Sequence, residues 1–552
     1  MMRWTDHLIL VPVVLPLVAG AAMLLVDEQR RGLKFAISLV STLGLLAAAI
    51  VLMRLADGRL EGWSGSIGVY LAANWPVPFG IALAVDRLSA LLLALCAVLA
   101  LASLVFSHAR WNRAGVHFHA LFQFLLMGVN GTFLTADLFN LFVFFEVMLA
   151  ASYGLALHGS GAARVAAGMH YVAVNLVASS LFLLGVSMLY GVTGTLNMAD
   201  LARVIAHVSP HDRMLLEAGA ALLGIAFLVK SAMWPLAFWL PATYAAASAP
   251  VAAVFAIMTK VGIYVILRLW LLLFAGAEAG ASSGFGRDLL LYGGMATLAF
   301  ATIGMLASHD LRRLAAYSII MSSGALLAAI GFGETAVVAG ALFYLLSSTL
   351  SAGALFLLIE LIERTRTAAS SVLAVTLEAF EAQGALHAGA GEEAPEDSGV
   401  VIPAAMAFLG LSFVTSALLV AGLPPLSGFI GKFALLAAML QPAGGQAGGG
   451  VQPAAWIMLA LLLASGLAGA VALMRIGIRT FWVPTRPRVP RLRVIEAMPV
   501  AALLLLCLVI TVQAGPVMRY LDSAAGALAR RDDYVRAVMG APTVPSARDR
   551  AR

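Results

Sequence analysis

The sequence predicts an all-α polytopic membrane protein with about 14 transmembrane helices. Three observations carry this. Hydrophobic residues make up 62% of the 552 positions and charged residues 11%, against about 45–50% and about 25% in an average soluble chain. The apolar residues fall in runs of about 20, the length that crosses a hydrocarbon core. The chain also has two cysteines, Cys96 and Cys507, too few for a disulfide scaffold, an iron–sulfur cluster or a Cys₄ zinc site. So few charges cannot cover the apolar surface of a soluble fold, and so apolar a chain is neither disordered nor collagenous.

In order, the spans read as 8–26, 34–53, 86–106, 116–136, 138–157, 170–191, 215–234, 243–274, 289–307, 313–332, 336–359, 401–421, 454–482 and 498–514, with 423–440 continuing the twelfth past a break. Arg3 before the first run also fits a signal peptide. A run of nearly twenty residues followed by Asp27-Glu28-Gln29-Arg30-Arg31 reads better as a retained span. Sixteen Lys and Arg residues lie after odd-numbered spans and eight at the N-terminus and after even-numbered ones. That bias places the N-terminus outside the cytoplasm. With 14 spans the C-terminus is outside too, and its seven arginines run against the rule unless the tail sits against something or a span is miscounted. Residues 364–400 are polar and acidic and read as a cytoplasmic loop; 441–453 read as a flexible Gly-rich linker.

Charge usage points to function. Of 34 basic residues only Lys34, Lys230, Lys260 and Lys432 are lysine, and the last three lie inside or at the break of apolar runs. Arginine stays charged, whereas a buried lysine can lose its proton near neutrality. A charge at the bilayer centre costs about 2.5–3.5 kcal/mol. Three lysines and Glu146 would cost roughly 10 kcal/mol if isolated, so they are paired, hydrated or neutralised. Glu146 lies in the most apolar surroundings of any acid and reads as half of a switchable pair with a lysine, or as a structural ion pair. Asp137, near a span end, is a candidate relay or is simply solvated.

Lys230 precedes Pro235 and Pro241, and Lys432 follows Pro424 and Pro425. Prolines interrupt the helical ladder, and broken helices at membrane depth mark transporter sites. Lys230 could instead snorkel to an interface. Lys260 lies mid-span in an unbroken helix, from where snorkelling is hard. Two lysine-plus-proline breaks in two halves of one chain fit an internal repeat. His170, Tyr171, Asn175, Ser179 and Ser180 in span six, and Ser322, Ser323, Tyr344, Ser347, Ser348, Thr349 and Ser351 in spans ten and eleven, are candidate relays; each alone is more often a packing residue. No GxGxxG, Walker, CxxC, CxxCH or HExxH motif occurs. No cofactor or metal site is expected, and the positive charge is a topology signal rather than a nucleic-acid footprint.

These stretches resemble the antiporter-like subunit family shared by respiratory complex I, membrane-bound hydrogenases and Mrp/Pha multisubunit cation/proton antiporters. They are Phe142-Val-Phe-Phe-Glu-Val, Val229-Lys-Ser-Ala-Met-Trp-Pro235, Trp239-Leu-Pro241, Met258-Thr-Lys-Val-Gly262, His309 to Ser318, and Gly422 to Phe429 with Lys432. Ala151-Ser-Tyr-Gly154, His170 to Asn175, Tyr190 to Asp200 and Tyr244 to Pro250 look like the D subunit of the Mrp/Pha antiporters. The acidic loop after Thr376 to Phe380 looks like the proteobacterial Pha version.

The resemblance implies two inverted five-helix repeats, each with a broken helix. The chain then divides into helices 1–3 (1–113), a first repeat (114–275), a second repeat in two parts (276–363 and 401–484) around the loop 364–400, and a last helix with an Arg-rich tail (485–552). It implies Glu146 pairing with Lys230 and a lateral polar axis through Lys260 to Lys432. Three departures stand out. Ser347 occupies a span-eleven position where the family often has histidine, Ala237 one after the span-seven proline where many members have histidine, and the second half has no obvious glutamate matching Glu146.

The expected function is an ion-translocating subunit of a multisubunit Na⁺(K⁺)/H⁺ antiporter in the inner (cytoplasmic) membrane. Its partners would be the other subunits, the lipid bilayer, and H⁺ with Na⁺ or K⁺ as substrates. A proton-pumping subunit of complex I or of a hydrogenase, and a structural subunit with static ion pairs, are the rival readings.

Overall fold

A computed structural model describes residues 4–63, 65–383, 404–441, 451–481 and 492–543, with the backbone alone for 365–383. The chain opens with α1 (Trp4–Leu25) and α2 (Arg31–Ala56). A hairpin follows, β1 (Gly68–Leu71) antiparallel to β2 (Ala82–Val85), with Gly68 opposite Val85 and Leu71 opposite Ala82. Then comes α3 (Arg87–His108). The stretch expected to form the first repeat holds α4 (Phe118–Leu134), α5 (Leu138–Ala156), α6 (Ala162–Thr193), the short α7 (Met198–Val204), the broken pair α8 (Pro210–Lys230) and α9 (Trp239–Ala246), and α10 (Ala249–Leu273). The stretch expected to form the second holds α11 (Arg287–Ala307), α12 (Leu311–Phe332), α13 (Thr335–Gln383), the broken pair α14 (Ala404–Ala421) and α15 (Ser427–Met439), and α16 (Pro453–Phe481). The chain closes with α17 (Val494–Val512), α18 (Ala514–Ala529) and α19 (Arg531–Met539).

Each repeat thus has three helices, a broken helix and a fifth. Five passes are an odd number, so the second repeat starts at the opposite end of the bundle from the first. By length and composition, twelve helices among the described residues are able to cross a membrane. The two expected spans that fall short are α4, with 17 residues, and α8, which carries Asp212, Arg213 and Glu217 besides Lys230. The packed centre is α10, whose residues are all buried, against α12 and α13, which are buried over most of their length.

Three expectations change. The helix of span eleven does not end at 363: its backbone runs to Gln383, so the first half of the expected loop is helical. Residues 384–400 and 442–450, the rest of that loop and most of the linker, lie outside the described residues. Pro241 does not break a helix. It is the third residue of α9, in the first turn, where proline costs no hydrogen bond; the break belongs to Pro235. Arg268, one of the eight basic residues counted at the N-terminus and after even-numbered spans, instead lies buried within α10 and donates to Asp86 at 2.6 Å.

The arginine-rich tail does sit against something. Tyr534 of α19 packs over the Arg268 guanidinium at 5.3 Å, and Arg531 binds Glu278 at 2.7 Å and the Ala202 carbonyl at 3.0 Å. Tyr520 donates to the Arg87 carbonyl at 2.9 Å. The tail therefore closes over the end of the bundle where α3 begins and α10 ends.

Candidate functional site: buried lysines at two helix breaks

Lys230 is the last residue of α8, before the non-helical Ser231–Phe238. It is 1% exposed, and its ammonium donates to the Tyr171 hydroxyl at 3.3 Å. The Ser152 hydroxyl donates to the Leu149 carbonyl, so the 2.7 Å contact between Tyr171 and Ser152 is a phenol donating to Ser152. The phenol oxygen is left to accept from Lys230. Phe145 and Tyr171 also place their rings 6.0 and 5.4 Å from the ammonium.

Glu146 is half-buried on α5 and accepts from the Ser179 hydroxyl of α6. The pairing expected of Glu146 and Lys230 is not a contact ion pair, because each takes a different hydroxyl of α6. Tyr171 and Ser179 lie two turns apart on that helix, about 12 Å along its axis. Between them stands Asn175, fully buried, whose amide nitrogen donates to the Tyr171 carbonyl and whose Oδ1 has no partner in the described structure.

Lys260 lies in the middle of α10, 1% exposed, and donates to the Ser322 hydroxyl of α12 at 2.5 Å. Ser322 in turn donates to the Ile319 carbonyl. α10 meets the first break closely. A Cβ at Gly262 would lie 2.9 Å from the Phe227 carbonyl oxygen and from the Ser231 nitrogen, and 3.3 Å from the Lys230 carbonyl carbon. Any side chain there would push the two lysine-bearing helices apart.

Lys432 of α15 is buried and donates to the Ala421 carbonyl at 2.9 Å, across the second break. Gly422, at φ +72°, makes the room: a Cβ would lie 2.6 Å from Lys432 Cδ. Pro424 and Pro425 both lie in this break. Ser347 and Ser427 join α13 to α15 through hydroxyls 2.8 Å apart. Tyr344, Ser348, Ser351 and Ser318 line a small cavity between α12, α13 and the break.

Other expected relays lie elsewhere. Asp137 is buried rather than solvated and caps α5, accepting from the Asn140 backbone at 2.8 Å. His170 and Ser180 face outward from α6. Thr349 donates to the Leu345 carbonyl of its own helix, and Ala237 is buried.

Sequence reasoning does not find two charged clusters. Arg268 bonds Asp86 and Ser89, with Tyr264 beside it, at the tail-covered end. Burial raises the Asp86 carboxyl, but Arg268 more than offsets this and holds it below the usual carboxylate range. At the opposite end Glu360 accepts from the Trp111 indole at 2.8 Å, and Arg364 reaches Glu360 at 3.6 Å and Glu496 at 2.7 Å. The i, i+4 series Lys260, Tyr264, Arg268 is visible in the sequence; the pairing with Asp86, 182 residues away, is not.

Residues 135–388 match the family described as NADH:quinone oxidoreductase/Mrp antiporter, transmembrane. The chain is 55% identical over 546 residues to the D subunit of a probable K⁺/H⁺ antiporter of Rhizobium meliloti, covering 99% of this chain and 100% of that one. It is 31% identical to the D subunit of a Na⁺/H⁺ antiporter of Bacillus subtilis, covering 97% and 99%. Its fold superposes on a chain of the Mrp complex from Dietzia sp. with a TM-score of 0.80 at 26% identity, covering 98% and 100%. Matched over nearly its whole length, the chain belongs to the NADH:quinone oxidoreductase/Mrp antiporter family and, within it, to the antiporter D subunits.

Proposed function

We propose that the chain is the ion-translocating D subunit of a multisubunit Na⁺(K⁺)/H⁺ antiporter and that protons move along Lys230, Lys260 and Lys432. One observation carries the assignment of roles. All three lysines are held by uncharged oxygens: a phenol, a serine hydroxyl and a backbone carbonyl. Lys34 and Arg268, by contrast, each face a carboxylate at 2.6 Å. An ammonium held by a neutral acceptor releases its proton and leaves no unpaired buried charge. One locked to a carboxylate does leave such a charge. This contrast favours carriers over static glue.

Glu146 then acts through space. At a separation on the order of 10 Å and an effective dielectric of about 20, a carboxylate attracts an ammonium by roughly 1.5 kcal/mol, about one pH unit. That is enough to bias Lys230 and too little to trap it. Asn175, with its free oxygen between the two, is suited to orient a bridging water. Gly262 keeps the Lys230 break against α10, and Ser322 leads from Lys260 towards the hydroxyl-lined cavity beside Lys432.

The arginine-rich loops support an N-terminus outside the cytoplasm of an inner (cytoplasmic) membrane. The 55% relative favours the antiporter over a respiratory proton pump. The test is cation-driven proton exchange in everted vesicles holding the whole complex. Lys230→Ala should abolish exchange with the complex still assembled. Full exchange in that variant would return the lysines to a structural role.

A further inference from the structure

Pro424 and Pro425 do more than interrupt a helix. In an α-helix each carbonyl accepts from the N–H four residues on. Val420 and Ala421 look to positions 424 and 425, and proline has no N–H to give. The N–H groups of Gly422 and Leu423 both turn back to the Leu418 carbonyl, at 2.9 and 3.0 Å. The last turn of α14 therefore ends in carbonyls without helical donors, at the negative end of the helix dipole. Lys432 takes the Ala421 carbonyl. Val420, its neighbour, lines the cavity that holds Ser318, Tyr344, Ser348 and Ser351.

The three serines point their hydrogens away from that cavity. Ser318 donates to Ala315 at 2.7 Å, Ser348 to Leu345 at 3.2 Å and Ser351 to Ser348 at 3.1 Å, all backbone carbonyls of their own helices. Their lone pairs are left for whatever fills the space. Oxygen lone pairs around a half-helix C-terminus bind a hard cation. With no carboxylate in the lining, the site suits a single positive charge.

We propose that this cavity, between the Ser322 contact of Lys260 and the Ala421 contact of Lys432, binds one Na⁺ or K⁺ ion that competes with the proton on Lys432. The inference rests on the proton-carrying reading of Lys432 and adds where the exchanged cation meets it. A cation held at Val420 beside an ammonium held on the next residue's carbonyl would lie on the order of 6 Å from it, and like charges at that separation in a partly buried site disfavour joint occupancy about 100-fold. Around this break, α13 contributes Tyr344 and α17 contributes Cys507 beside Ser427, an uncharged phenol and thiol, and α16 contributes Gly466. Lys432 has no charged neighbour among the described residues. The bound cation would be its nearest charge.

The purified, assembled complex in weakly buffered detergent at about pH 8 should release protons on addition of NaCl or KCl and not of choline chloride. Lys432→Gln should remove that release. In vesicles Ser348→Ala combined with Ser351→Ala should raise the KM for the cation about tenfold with the maximal rate held within a few-fold, and Ser351→Thr should keep the wild-type KM. The proposal is overturned if cations release no protons from a complex whose vesicles exchange normally, or if the release persists in Lys432→Gln. It is also overturned if the alanine variants slow proton movement at an unchanged cation KM, which makes the cavity a water path alone. Should the alanine variants not assemble, the proton-release arm on wild type and Lys432→Gln decides. Wild-type vesicles without any exchange would instead sink the antiporter reading itself.

Discussion

Tyr171→Phe tests the neutral-acceptor principle at one atom. The substitution removes the phenol oxygen that accepts from Lys230 at 3.3 Å and keeps the ring that packs 5.3 Å from Trp239 and 6.3 Å from Phe255. Ser152 loses a donor but still donates to Leu149 at 2.7 Å, so no buried hydroxyl is stranded. A hydrogen bond to a charged group contributes about 1.5–3 kcal/mol, and 3.3 Å is long, so the lower figure applies. The proton on Lys230 is then held less tightly by about 1.5 kcal/mol, or about one pH unit. The sign is fixed because the phenol stabilises the ammonium more than the amine. The alkaline limb of exchange in everted vesicles should move about one unit towards acid, with assembly unchanged. A profile identical to wild type would show that Lys230 does not exchange its proton against Tyr171, and the role given to the first break would be wrong.

Glu146→Gln keeps an acceptor for Ser179 and removes the charge, so exchange should fall at least about tenfold on the alkaline side, the equivalent of one pH unit, while the protein still inserts; equal rates at several pH values would refute the through-space role. Lys260→Arg should abolish exchange although charge is kept, because a guanidinium does not release its proton, and the larger group costs roughly 1–3 kcal/mol in a packed core; wild-type rates would make Lys260 an electrostatic post. Asp86→Asn leaves Arg268 buried without its carboxylate and should cost about 3–5 kcal/mol, read as a lower unfolding temperature of the solubilised protein. Since Asp86 is held below the usual carboxylate range, the ion pair stabilises the fold at pH above about 4 and fades as pH falls through the lowered value; wild type and Asp86→Asn should converge in acid.

The fold is legible in the sequence where composition decides it. Runs of apolar residues locate twelve helices, because the bilayer leaves a chain few alternatives. The blurred ones are those where polar side chains point inward, such as His119, Gln123 and Asn130 on α4, which hydropathy alone cannot tell from a weaker span. Residues 365–383 read as loop because polarity and irregularity look alike in a sequence, yet their backbone is helical. The site is half legible. Lysine is so scarce that its three membrane positions stand out, and proline marks both breaks. The partners do not stand out, since Tyr171 and Ser322 lie 59 and 62 residues from the lysines they accept from. Opposite charge suggests Glu146 for Lys230; the hydroxyls of α6 intervene.

The two breaks answer one electrostatic problem in two ways. At the first, Lys230 ends its helix, a phenol and two aromatic rings surround the ammonium, and a carboxylate stands further off. At the second, Lys432 lies inside the following half-helix and reaches back to α14, whose last carbonyls have lost their donors to proline. A helix C-terminus carries about half an elementary charge, so it substitutes for part of a glutamate without adding a titratable group. Beside Lys432, where no glutamate matches Glu146 among the described residues, a helix end stands in that place. A carboxylate beside Lys432 would hold its proton and any cation alike, whereas dipoles and lone pairs hold either one weakly enough to let the other replace it. The asymmetry between the repeats is therefore the feature expected if the first break tunes a proton and the second exchanges it.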